Sequence, residues 1–341
     1  ASGAASPFVR AAARSLHLAN RLGLAQPFLR HRLTVVTDAP DRHETRLHEF
    51  LGEVLGCTNF VTSMRIAPRR PNGKPVVQAI ANDGTVLAYA KFGWETLTRQ
   101  LVRHEAEALD DLAGLTKGSL LKVPRVLFSG AWRGIEAIVL DPLVGQRLRP
   151  RSVADMPVGA AIALAQLRQR RLAELGDSAF WRRSTAQLER VMTSLDEQGR
   201  EVLVTARNEI EDRWGGASLP MGQCHGDWIP PNMSVARDGS YNLWDWELSD
   251  GDTPLGIDTM HFILQMELRS SRSAPATARR LCRFGREALL RMGLDPKQTP
   301  LLVALNLLRM NILYGEARRV AQAKDGDHRY TRVLQAVVAR F

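Results

Sequence analysis

Three cysteines in 341 residues, Cys57, Cys224 and Cys282, form no CxxC pair. So few and so scattered, they argue against a disulfide framework and a thiolate zinc site, and they suit a reducing cytoplasm. No apolar run reaches the roughly 18 residues a spanning helix needs. The longest, LLVALNLLRMNIL at 301–313, is broken by Asn306, Arg309 and Asn311. Internal repeats and low-complexity tracts are absent, and no nucleic-acid-binding module is recognisable, so no nucleic-acid partner is expected. What remains is an ordinary globular inventory, 45% hydrophobic and 24% charged, long enough for two domains or lobes.

Acidic residues are scarce at the two ends. Residues 1–40 carry five Arg against one Asp, and residues 269–341 carry fifteen Lys or Arg against five acids. The overall charge of +10 therefore belongs to the ends, while the middle is mildly acidic. Basic ends suit an anionic membrane surface or an anionic substrate, or they are solvated arginine-rich helices. The segment 1–37 is basic and reads as an amphipathic helix, either an interfacial or targeting element or one packed on the main body.

Texture changes along the chain. Helical spacing in 38–57 leads into short β-rich runs at 58–68, 74–81 and 85–93, separated by PRRPNGKP and NDG. A helix is expected from Trp94 to Leu115, then strands at 124–130 and 134–140. After Gly145 the pattern is helical, with 154–175 read as one helix. A hairpin around the RDGS turn at 237–240 interrupts it, and helices resume beyond about 254. The expectation is an α+β, bilobal chain: a β-rich N-lobe over 38–140 with one crossing helix, a hinge at 141–147, and a helical C-lobe over 148–341.

The stretch GQCHGDWIPPNMSVARDGSYNLWDWE, residues 222–247, concentrates the chemistry. Asp227 and Asn232 lie five apart on a segment that two prolines keep out of a helix. The hairpin then returns Asp245 alongside. Two hard oxygen ligands from adjacent strands suit Mg²⁺, and a neighbouring carboxylate can orient or deprotonate a hydroxyl. His225 is better placed to brace the loop than to act as a base.

HGDWIPPN followed by LWDWE resembles the aminoglycoside phosphotransferase and choline kinase-like family, a branch of the protein-kinase-like fold. The resemblance is strongest over 222–261 and extends loosely over 50–320 through the order of elements. It implies that Asp227 is the catalytic aspartate, that Asn232 and Asp245 hold Mg²⁺, and that His225 is scaffold. Asp258, in GDTPLGIDTMHF, implies a brace for the catalytic loop; Asp252 fits the pattern less well. Lys91 ends the third strand in VLAYAKF, where an unpaired buried lysine would be costly, so it needs a partner. Glu105 and Glu107 are available, and the family's Glu-x-x-x-Leu helix favours Glu105. Together they would position the phosphates of ATP. VLDPLVG fits an adenine-contacting hinge, with Asp141 and Leu143 carrying the contacts. The turn at 68–75 has no GxGxxG, and Arg69, Arg70 and Lys74 supply charge there instead.

The expected activity is transfer of the γ-phosphate of ATP to a small-molecule hydroxyl on a sugar, amino alcohol or aminoglycoside-like acceptor. Trp228, His261, Gln265 and Glu267 are the candidates for contacting it, while Trp244 and Trp246 read as core. The alternatives are a Ser/Thr kinase acting on peptide or protein, and a nucleotide-binding pseudokinase.

Overall fold

The computed structural model describes residues 47–65, 72–270, 272–321 and 328–340. The basic segment 1–37, the start of the helix read from residue 38, and Arg69 and Arg70 lie outside the described residues. Within them no helix is long and apolar enough to cross a membrane.

The chain begins with helix α1 (Leu47–Leu55) and three antiparallel strands, β1 (Phe60–Arg65), β2 (Val76–Ala81) and β3 (Val86–Gly93). Helix α2 (Thr96–Leu115) crosses, followed by β4 (Leu121–Lys122), β5 (Val126–Trp132) and β6 (Ile135–Leu140). Five of these strands form one sheet in the order β1-β2-β3-β6-β5. Its two faces follow from alternation along β3. Ala88, Ala90 and Phe92 join Ala137 and Val139 of β6 in a cluster with Phe50 and Leu51 of α1. Lys91, between them, is paired with Ile138 and therefore points to the other face, where α2 packs.

Beyond β6 come β7 (Gln146–Arg147), α3 (Val158–Ala165), β8 (Arg171–Glu174), α4 (Ala179–Val191), α5 (Glu197–Trp214) and β9 (Ser218–Cys224). The hairpin β10 (Met233–Val235) and β11 (Tyr241–Leu243) follows, then β12 (Asp250–Pro254). Four helices close the chain: α6 (Ile257–Glu267), α7 (Ala274–Arg291), α8 (Thr299–Ala321) and α9 (Arg329–Val338). Helices α4 and α5 open on side-chain caps: Ser178 accepts from the Trp181 N–H, and Asp196 from the Gly199 N–H.

The run 154–175 is not one helix. It stops at Ala165, and Arg171–Glu174 instead pairs antiparallel with β9, which also pairs with β12. Pairing outweighs local propensity here, because Gly176 N–H also reaches the Gly215 carbonyl at 2.7 Å. Strand β9 escapes a sequence reading because Pro220 and Gly222 lie inside it.

A small sheet, β4-β11-β10-β7, joins three distant parts of the chain. It fastens the end of α2 and the segment after β6 to the hairpin. Gly145 lets that segment come close, since a Cβ there would lie 2.6 Å from Ser234 Oγ and 2.7 Å from the Val235 carbonyl oxygen. Helix α6 is buried on every side except at Gln265, and its Asp258 and His261 reach the loop at 225–227 that leads into the hairpin.

Candidate active site

The loop entering the hairpin turns at Gly226, whose φ is +87°. A Cβ there would meet the Leu248 carbonyl oxygen at 2.0 Å, so glycine is required. Asp258, in the first turn of α6, accepts from the His225 N–H (2.7 Å) and the Gly226 N–H (3.0 Å). Arg309 of α8 donates to the Gly226 carbonyl (2.8 Å) and the Leu248 carbonyl (3.4 Å). His225 is fully buried, and its Nδ1 accepts from the Asp227 N–H (3.2 Å). Nε2 must then carry the proton it donates to the Trp244 carbonyl (3.1 Å). Burial lowers the pKa of this imidazole below 6.5, in keeping with a neutral bridge between the two loops.

The loop so held presents Asp227 with both oxygens engaged. Oδ1 faces His261 Nε2 at 3.2 Å, and Oδ2 accepts from Asn232 Nδ2 at 2.8 Å. Burial would raise the Asp227 pKa, but the hydrogen bond and proximity of His261 outweigh it, and the carboxyl titrates below its ordinary range. Asn232 also donates to the Asp227 carbonyl (3.1 Å). With its amide N–H₂ spent on Asp227, the side-chain oxygen of Asn232 is left as an acceptor.

Across the hairpin, Met233 pairs with Leu243, and Trp244 N–H reaches the Asn232 carbonyl at 3.3 Å. Asp245 follows with φ of +73°, a left-handed conformation costing about 1 kcal/mol in a non-glycine residue. Its Oδ1 accepts from Lys91 Nζ at 2.7 Å, and the same ammonium contacts both Glu105 oxygens at 2.7 Å. Lys91 is 9% exposed and Glu105 is fully buried. Burial would lower the lysine pKa, but Asp245 and Glu105 raise it well above normal, so it stays charged. The burial of Asp245 works toward a higher pKa; Lys91 overcomes this and keeps the carboxyl below its usual range. Glu105 Oε1 also accepts from the Trp246 N–H (3.3 Å), so α2, β3 and the 245–246 segment meet on one carboxylate. Two residues on, Glu247 is paired with Lys74. Its burial, followed by nearby Asp245, pushes its pKa up to about 7. One oxygen from each of Glu105, Asp245 and Glu247 lies within 4.8 Å of the others.

No protein-family model matches the sequence, and no curated protein matches it. Solved structures do. A thermostable mutant of aminoglycoside phosphotransferase APH(4)-Ia, in apo form, aligns with TM-score 0.56 at 13% identity, over 86% of this chain and 99% of its own. Choline kinase LicA from Streptococcus pneumoniae aligns with TM-score 0.55 at 14% identity, over 86% and 98%. The fold is protein-kinase-like. An antiparallel-sheet lobe is followed by a helical one, as the α+β bilobal reading expected.

Within this kinase-like fold several assignments need revision. Trp228, read as a substrate contact, is fully buried, edge-on to His225 with ring centroids 5.9 Å apart. The turn at Gly226 sends it into the core. Trp244, read as core, is only half-buried, whereas Trp246 is fully buried, 4.5 Å from the His225 ring. Glu267 does not line a cleft, because Arg280 holds it at 2.6 and 3.1 Å. Gln265 donates to the Tyr330 hydroxyl (3.1 Å). His261 is buried and touches Asp227 itself. Asp252 pairs with Arg171 (2.7 Å), away from the loop. Asp141 binds Arg125 through its N–H (3.1 Å) and its carboxylate (2.5 and 2.8 Å). Leu143 is half-buried beside Val144, whose carbonyl Asn242 holds at 3.0 Å. A sequence reading gives Arg309 and Glu247 no role of their own. The signals were a lone arginine within an apolar helix, and a second carboxylate two residues after Asp245.

Proposed function

We propose that the protein transfers the γ-phosphoryl group of ATP, with Mg²⁺, to a hydroxyl of a small molecule: a sugar, amino alcohol or aminoglycoside-like acceptor. The observation that carries the reading is the meeting of two networks. Lys91, Glu105 and Asp245 form one; Asp227, held by His261 and Asn232, forms the other, one hairpin residue pair away.

In this reading Asp227 accepts the hydrogen bond of the acceptor hydroxyl and takes its proton late in transfer. Its two fixed oxygens restrict that hydroxyl to one direction. Lys91, charged and held by Glu105, positions the nucleotide phosphates. The Asp141 carbonyl and the backbone of Leu143 receive the base. Asn232, through its uncommitted oxygen, and Asp245 are oxygen donors that fit Mg²⁺. The metal, when bound, would neutralise charge building on the transferring group.

A small acceptor is favoured over a peptide. Strand β12 begins at Asp250, five residues after Asp245, and Gly256 opens α6 directly, so no long segment is available to seat a polypeptide. An ADP-release screen over sugars, amino alcohols, aminoglycosides, nucleosides and peptides, with Asp227→Asn as the blank, tests the reading. Turnover should fall at least about 100-fold in Asp227→Asn with nucleotide affinity kept. Equal turnover in that variant would remove Asp227 from its role. Nucleotide binding without turnover on any acceptor would favour the pseudokinase.

A further inference from the structure

The turn between β1 and β2, IAPRRPNGKP, holds one glycine and no GxGxxG, so a cradle of backbone N–H groups is not what its sequence supplies. Its last basic residue is placed otherwise. Val76 lies directly opposite Lys91 in the sheet, so Lys74, two residues earlier, shares its face. The Lys74 side chain is 6% exposed, and its ammonium leaves the sheet lobe to meet Glu247 beyond the hairpin, while also donating to the Asn72 carbonyl (3.3 Å). A lysine at a turn normally projects into water, where its ammonium is best solvated. This one is drawn into the corner that Lys91 already occupies.

Charge explains the arrangement. The corner holds three carboxylates, Glu105, Asp245 and Glu247, against two ammonium groups, Lys91 and Lys74. With all three carboxylates ionised, one negative charge remains. With Lys74 withdrawn two remain, the charge a divalent cation balances. A cation at Asp245 and the ammonium of Lys74 therefore compete for the same corner, and a triphosphate arriving with the cation offers the displaced ammonium a new partner. We propose that Lys74 is a nucleotide-phosphate ligand that rests on Glu247 in the nucleotide-free protein and passes to the phosphates when the metal–nucleotide complex enters. The assignment rests on the phosphotransferase reading and gives the turn a side-chain substitute for a glycine cradle.

Calorimetric titration with ATP and with adenosine, each in EDTA and in Mg²⁺, tests this on wild type, Lys74→Met and Glu247→Gln. Lys74→Met keeps the apolar stem and should weaken ATP about tenfold or more, the loss expected for one charge-assisted contact, with adenosine affinity unchanged. Glu247→Gln frees Lys74 and should tighten ATP severalfold in EDTA. Unchanged ATP affinity in Lys74→Met, or an equal loss for ATP and adenosine, would overturn the Lys74 assignment while wild-type ATP binding left the broader reading standing. A wild type that binds neither ligand would overturn both.

Discussion

The side chain that most sharply defines the site is His261. It sits three residues after Asp258 on a buried helix, and its Nε2 meets Asp227 Oδ1, while no partner reaches its buried Nδ1 among the described residues. A ring nitrogen buried without a partner costs stability, which makes sense if the other nitrogen is needed where it is. Removing the ring frees one oxygen of Asp227 to rotate and leaves the nucleotide side untouched. His261→Ala is expected to lower kcat about 10–100-fold, with acceptor KM and nucleotide affinity nearly unchanged. A rise in acceptor KM at constant kcat would instead return His261 to the substrate-contact role read from the sequence. That role was inferred from nearness to the motif. Sequence distance alone does not tell which way a loop turns, and the same limit reversed Trp228 and Trp244. Both depend on left-handed residues, Gly226 and Asp245, and in Asp245 nothing in the side chain announces a positive φ.

At the scale of elements, the strands and helix around Lys91 were legible because their periods are clean. Alternation in VLAYAKF assigns Ala88, Ala90 and Phe92 to one face and Lys91 to the other, and helical spacing brings Glu105 toward it. Strands β8 and β9 were not legible, since their stability comes from pairing with each other and with β12, not from a local pattern. Helix α6 combines both situations. Its apolar run was readable, but its task depends on where its N-terminus lands. There, Asp258 receives two backbone N–H groups of the loop, and its negative charge is favoured by the helix dipole. Asp258→Asn keeps one acceptor oxygen and sets an amide N–H₂ against the second N–H. A loss of about 2–3 kcal/mol in urea unfolding is expected. A change under about 0.5 kcal/mol would show that Gly226 and Arg309 hold the loop without it.

Over the whole molecule, these buried groups make stability depend on pH in two opposing ways. His225 titrates below its free value of 6.5, so the unfolded chain binds the proton more readily. Its contribution is present above pH 6.5 and is lost as pH falls through the folded pKa. Glu247 runs the other way. Its pKa rises from 4.5 to about 7, so in that window the folded protein binds the extra proton, and stability is lost as pH climbs. A shift of this size, net of Lys74 and Lys91, which lower it, corresponds to roughly 3–4 kcal/mol. The metal-free wild type should therefore show a flattened profile between pH 4.5 and 7. Glu247→Gln removes only the falling contribution. Its unfolding free energy, measured by urea titration in EDTA, should gain on wild type as pH rises across that window. Parallel curves for the two proteins would mean that Glu247 stays ionised throughout, its charge fully compensated by Lys74, just ahead of β2, and Lys91, on β3.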